Sequence, residues 1–152
     1  MRTLLTLALA LIFGCQTSPE VKKPASLLLS LSRGACFGAC PVYGVEVMSD
    51  GLMRFKGERH VKVTEPVEVT LDAATLGQLT ARLEQSAFSS WTDYVKPDTT
   101  DLPTVTLSFK GKTLRHDRGD AKAPAALTKL EDDVDALLGT ERWVKGAGAE
   151  LQ

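Results

Sequence analysis

The chain has 152 residues, 18 Lys and Arg against 19 Asp and Glu, and a formal net charge of −1. That length fits one globular domain plus a short extra segment, with enough apolar residues for a core of its own. The balanced charge excludes the basic footprint of a nucleic-acid partner, and three cysteines leave one over after pairing.

The amino terminus accounts for the odd cysteine. Met1-Arg2 is a short basic start, and Leu4 to Phe13 is an apolar run interrupted only by Thr6. The run is too short to cross a bilayer, which takes about 20 residues. It ends at Ile12-Phe13-Gly14-Cys15, which resembles a bacterial lipobox, where cleavage before Cys frees the thiol for lipid attachment. Phe13 is bulkier than the residue usual there, and an ordinary signal peptide containing a cysteine is the alternative. The lipobox reading makes residues 1–14 a signal peptide and Cys15 the lipid anchor. Several acyl chains on one residue hold stably, at about 0.8 kcal/mol per buried methylene. In lipoproteins of this kind Asp after the Cys marks inner-membrane retention, so Gln16 points to the outer membrane. The polar, proline-bearing run up to Ser26 reads as a flexible tether, giving residues 15–26 as anchor and tether.

From Leu27 the pattern becomes that of a folded domain. Leu27 to Arg33 is a short apolar run of strand type. Tyr43, Val45 and Val47 alternate with Gly44 and Glu46, Asp50-Gly51 is a hairpin turn, and Met53 and Phe55 alternate with Arg54 and Lys56. Gly57-Glu58 reads as a second turn, followed by a strand over His60 to Thr64 with Val61 and Val63 on one face. Pro66 restricts the next strand, Val67 to Leu71, to an edge or a strand start. Asp72 is an N-cap for a helix from Ala73 to about Ala87, with Leu76, Leu79 and Leu83 at helical spacing. Phe88, Trp91 and Tyr94 then cap the core. Thr104 to Phe109 and Thr113 to His116 form a hairpin around Lys110-Gly111. Pro124 opens a second helix whose apolar face is Leu127, Leu130, Val134, Leu137 and Leu138, and Gly139 ends it. Glu131, Asp132, Asp133 and Asp135 fall on its expected wet side, where they serve solubility. Trp143 folds back, and residues 144–152 read as a frayed tail. The expected fold is α+β: a meandering antiparallel β-sheet with two amphipathic helices packed on one face, a single domain over residues 27–143.

Cys36 and Cys40 remain in what the leader implies is an oxidising compartment. One helical turn between them would put both sulfurs on one side, about 6 Å apart at Cα, within reach of a disulfide. Such a bond closes a small loop and adds about 2 kcal/mol. Two alternatives use the same thiols. Cys-x-x-x-Cys-Pro resembles the copper site of Sco-type assembly proteins, with His60 or His116 as a third ligand to Cu(I). Reversible dithiol exchange is the other.

The run Cys36-Phe37-Gly38-Ala39-Cys40-Pro41-Val42-Tyr43 also resembles the start of a bacterial, lipoprotein-associated domain family of unknown function, whose members read C-F-G-x-C-P-x-Y. Asp50-Gly51, Gly57-Glu58-Arg59, Thr100-Asp101-Leu102-Pro103-Thr104, Gly111 and Trp143 continue the resemblance across nearly all of the domain. It implies no activity. Phe37, Gly38, Pro41 and Tyr43 then belong to a motif loop in which Gly38 and Pro41 set the shape.

Asp93, Asp98 and Asp101 share a polar stretch that could hold Ca²⁺ but match no calcium loop, and turn chemistry suffices for them. Asp101 is also a candidate brace for the cysteine loop. Arg54, Lys56 and Lys62 are candidates for a basic face toward anionic lipid or glycan, or simply for a solvated sheet face. There is no nucleophile elbow, no zinc-protease motif and no phosphate loop. The expected protein is a lipid-anchored envelope module without catalysis or cofactor. Its partners are the membrane, through the anchor, and an envelope protein or wall component. Copper or thiol handling by Cys36 and Cys40 is the alternative.

Overall fold

The computed structural model describes residues 24–96 and 101–145. The expected signal peptide, Cys15 and most of the tether lie outside the described residues, as do Asp98 and residues 146–152. The fold is α+β. Strands β1 (Leu27–Arg33), β2 (Val42–Met48), β3 (Leu52–Arg59), β4 (Val67–Thr70), β5 (Thr104–Phe109) and β6 (Lys112–Asp117) join helices α1 (Ala73–Glu84), α2 (Ala125–Leu138) and α3 (Glu141–Val144). They form one antiparallel sheet in the order β4-β3-β2-β1-β5-β6. The first four strands meander as expected. The chain then crosses through α1 and adds the β5–β6 hairpin to the free side of β1, so β1 is central.

Period-two alternation decides which face is covered. Leu29, Leu31, Tyr43, Val45, Val47, Met53, Phe55, Val105, Leu107 and Leu114 all point to one face. They form a single core with Leu79 and Leu83 of α1 and Leu127, Leu130, Val134 and Leu138 of α2. Phe55 stacks between Tyr43, at 5.5 Å between ring centroids, and Trp143, at 4.9 Å. Phe88 is buried, and Trp91 and Tyr94 pack on the same core as expected. The opposite face keeps Ser32, Glu46, Arg54, Lys56 and Arg115 in water.

Local signals place the element ends. Asp72 caps α1 by accepting from the Thr75 N–H at 2.7 Å, and the cap holds the Asp72 carboxyl below its usual range. The two-residue turn Lys110-Gly111 has positive φ at both positions, 47° and 84°, as a tight hairpin of this kind requires. Gly139 ends α2 at φ 62°.

Three expectations are corrected. Gly57-Glu58 is not a turn: β3 runs on to Arg59, and the chain reverses at His60 with φ 54°. Residues 60–64 form no strand. They fold back over Gly57, where an added Cβ would lie 2.1 Å from the Val63 carbonyl oxygen, so the glycine serves close approach rather than turning. The Lys62 and Val63 N–H groups donate to the Trp143 carbonyl at 3.0 Å, so the C-terminal corner holds this segment. That corner is helical and packed: Val144 lies against the core rather than in a frayed tail.

Candidate functional site

The cysteine loop grows out of the centre of the sheet. β1 ends at Arg33, whose partner across the ladder is Tyr43 of β2. Between them Gly34 stays against β5 by donating to the Thr104 carbonyl at 2.8 Å. Cys36 and Cys40 are joined by a disulfide with Cα atoms 5.7 Å apart, close to the spacing expected for a single turn. Gly38 has φ 151°, open to glycine, and its N–H donates to the Cys36 carbonyl at 2.9 Å. Pro41 returns the chain to β2. The Phe37 N–H donates to the Asp101 carbonyl at 3.4 Å, so Asp101 does stand beside the loop, with its backbone as acceptor. The Phe37 side chain is 89% exposed at the tip, and both cysteines are half-buried.

Beneath the loop lies a charged cluster that the sequence reading placed in solvent. Asp135 of α2 is its hub. One carboxylate oxygen accepts from Arg33 Nε at 2.9 Å and Nη2 at 2.6 Å, and the other accepts from the Tyr43 hydroxyl at 2.8 Å and the Thr140 hydroxyl at 2.8 Å. Both ends of the cysteine loop are therefore tied to one carboxylate. One turn earlier, Glu131 is fully buried. Its Oε1 is 2.8 Å from His116 Nδ1. Its Oε2 has no hydrogen bond among the described residues, with Arg33 at 3.9 Å and Arg118 at 3.8 Å. Burial pushes the Glu131 carboxyl upward, and His116, Arg33 and Arg118 offset this only in part. Burial also raises the Tyr43 hydroxyl, reinforced by the negative Asp135 beside it. The hydrogen bond from Arg118 lowers Asp132, and bonds from Lys129 and Arg82 lower Asp133.

The wet-side assignment of these acids is thus overturned for Glu131 and Asp135. The missed signal was helical arithmetic. Leu127, Glu131 and Asp135 are spaced four apart, on one side of α2, and Leu127 is core. Likewise, Leu114 and His116 share the inward face of β6, so a buried imidazole needed a partner on the helix above it.

Between the returning limb of the loop and the α2–α3 corner a cleft of about 730 Å³ opens. Cys40, Pro41, Pro103, Ala136, Gly139 and Val144 line it, with Arg33, Arg118, Arg142 and Lys145 among the charged groups.

The remaining candidates are dispersed. His60 is exposed at the turn after β3, and His116 is engaged with Glu131. No group of three or more His, Cys, Asp or Glu side chains is placed to hold a metal ion among the described residues. Asp93 accepts from the Arg115 N–H at 2.9 Å, and Asp117 accepts from the Thr104 hydroxyl at 2.6 Å, so both brace the β6 edge. Arg54 pairs with Glu68 at 2.7 Å, and Lys62 lies off the strand, which breaks up the expected basic face. No helix among the described residues is long and apolar enough to cross a membrane.

An open-faced antiparallel sheet with two helices on one side, and a disulfide loop clamped to the second helix, defines a small α+β domain with a cleft at one end. The chain belongs to the family described as domain of unknown function (DUF6438), whose model matches residues 27–138. No curated protein matches the chain.

Proposed function

We propose that this protein is a lipid-anchored binding module of the cell envelope, held to the outer membrane through Cys15 and without catalysis of its own. The C-F-G-x-C-P-x-Y stretch, as a mark of lipoprotein members of the family, is part of the same reading. The observation that carries it is Phe37. A phenyl ring held in water on a covalently closed loop forgoes about 2 kcal/mol of burial, and fits a surface kept ready for a partner. Chain direction supports this. β1 runs seven residues, about 20 Å, from the end that the tether joins to the end that carries the loop.

Two measurements test it. Incorporation of labelled palmitate should occur in the full chain and vanish in Cys15→Ser, which should also leave the membrane fraction. A photo-crosslinking amino acid at position 37 should capture a defined envelope component that the same group at exposed Gln78 does not. Absence of lipid would refute the anchor, and equal capture at both positions would refute the loop as the contact.

Copper or thiol handling stays as a second reading, because the sulfurs are half-buried and the base of the loop has an ionic clamp that does not need the disulfide. Native intact mass, without reductant and with Cu(I) offered, separates the two. A mass short by two hydrogens with no metal adduct supports the binding module. Free thiols or one copper per chain support the alternative.

A further inference from the structure

We propose that the cleft beside the cysteine loop binds an organic carboxylate, with Arg142 as its anchoring cation. This deepens the binding-module reading and rests on it. The cleft volume of about 730 Å³ lies in the range of small-ligand sites, and suits a dipeptide or a sugar acid.

Four cations line the cleft, and three already have carboxylate partners. Arg33 meets Asp135 at 2.6 Å, Arg118 meets Asp132 at 2.6 Å, and Lys145 meets Glu141 at 2.5 Å. Those three acids are also the carboxylates of the lining. Arg142 has no carboxylate partner among the described residues, so its charge is the one among the lining cations that no acid answers.

Arg142 is also held in place. Its guanidinium carbon sits 4.2 Å from the centre of the Trp143 ring, and Trp143 is itself fixed against Phe55. Gly139 lies beside it: an added Cβ there would be 3.6 Å from the guanidinium carbon, so no side chain stands between. Stacking uses a face of the planar group and leaves its in-plane N–H edges to donate. A stacked guanidinium with open edges is a fork for a carboxylate, and less of its freedom is lost on binding than for a lysine. Pro41, Pro103 and Val144 supply apolar wall for the body of such a ligand. Gly139 to Lys145 lie past the residues matched to the family, so the inference concerns this chain.

A peptide C-terminus and a sugar acid present the same group, and the test separates them. The full chain in mild detergent carries Trp91→Phe, so that the emission comes from Trp143 beneath Arg142. It is titrated with alanyl-alanine, with the same dipeptide amidated at its C-terminus, and with glucuronate. At least one free acid should change the emission saturably. If alanyl-alanine binds, amidation should weaken it at least tenfold. Arg142→Gln should weaken the binding acid at least tenfold, and Arg142→Lys, which keeps charge without the fork, by less. Saturation by alanyl-alanine alone assigns a peptide terminus, and by glucuronate alone a sugar acid. No saturable change with either acid, equal binding of the amide, or unchanged binding in an Arg142→Gln variant that melts like its parent would overturn the proposal. Capture through position 37 would still stand in that case, and with it the binding-module reading.

Discussion

Replacing Asp135 by Ala tests the clamp under the cysteine loop most directly. The carboxylate takes two bonds from Arg33 and one each from Tyr43 and Thr140. The Arg33 side chain is 11% exposed and that of Asp135 17%. Removing one partner of a buried ion pair costs about 3–5 kcal/mol. The lower end applies, because Arg33 keeps the Glu131 carbonyl at 3.2 Å and Asp132 at 3.3 Å. The Tyr43 hydroxyl loses its acceptor, about 1 kcal/mol more. Ala is the better helix former, returning roughly 0.5 kcal/mol. The expected net loss is about 3.5 kcal/mol. At about 2.1 cal/mol/K per residue over a domain of roughly 120 residues, the unfolding entropy is near 0.25 kcal/mol/K and the melting temperature falls by about 14 °C. Asp135→Asn keeps an acceptor for Tyr43 and should lose about half as much. In a double-mutant cycle with Tyr43→Phe the two sites should couple by about 1 kcal/mol. Thermal melts followed by circular dichroism give all four values. A fall below about 4 °C in Asp135→Ala, or an equal fall in Asp135→Asn, would refute the clamp.

Three further outcomes are expected. Gly57→Ala should destabilise by about 2 kcal/mol by forcing residues 60–64 off the sheet, read as a lower urea midpoint; an unchanged midpoint would remove the close-approach argument. Cys36→Ser should lower the melting temperature by about 8 °C, from the roughly 2 kcal/mol that so small a closed loop supplies, and no change would show that the disulfide is not a structural clamp. Glu131 has a folded pKa above its unfolded one, so between the two values the folded state holds a proton that the unfolded state has released, and stability falls as pH rises through that window. Below the window the carboxyl is protonated in both states and this loss disappears. Glu131→Gln should therefore gain on the parent as pH rises from 4.5 toward neutrality, measured as the difference in urea midpoints; a difference flat with pH or of opposite sign would reverse the assignment.

Most of the fold was legible because alternation and helical spacing are properties of short windows. Val45, Val47, Met53 and Phe55 declared their face, and Asp72 and Gly139 marked helix ends through cap geometry. What was not legible depended on contacts between distant segments. Gly57 and Val63 look like a turn and a strand until the chain is seen folding back on itself. Crossing through α1 to the far side of β1 leaves no local trace, since β5 carries the same alternation wherever it pairs.

The site divides in the same way. The cysteine loop stands out in the sequence because its chemistry lies within a few residues. Its other half, Asp135, is 92 positions after Tyr43 and sits in a run of acids whose composition looks like a solvated helix face. Four-residue spacing from Leu127 through Glu131 to Asp135 contradicts that appearance, and burial of two acids on a core-facing stripe makes sense only if cations meet them there. Arg33 and Arg118 do so, one from the strand that leads into the loop and one from just past the strand at the sheet edge. The loop is thus held by a covalent bond near its tip and by a shared carboxylate at its base. Losing either leaves the other in place, which is why Asp135→Ala and Cys36→Ser, made singly and together, can separate a loop kept rigid for recognition from one built to be opened by reduction.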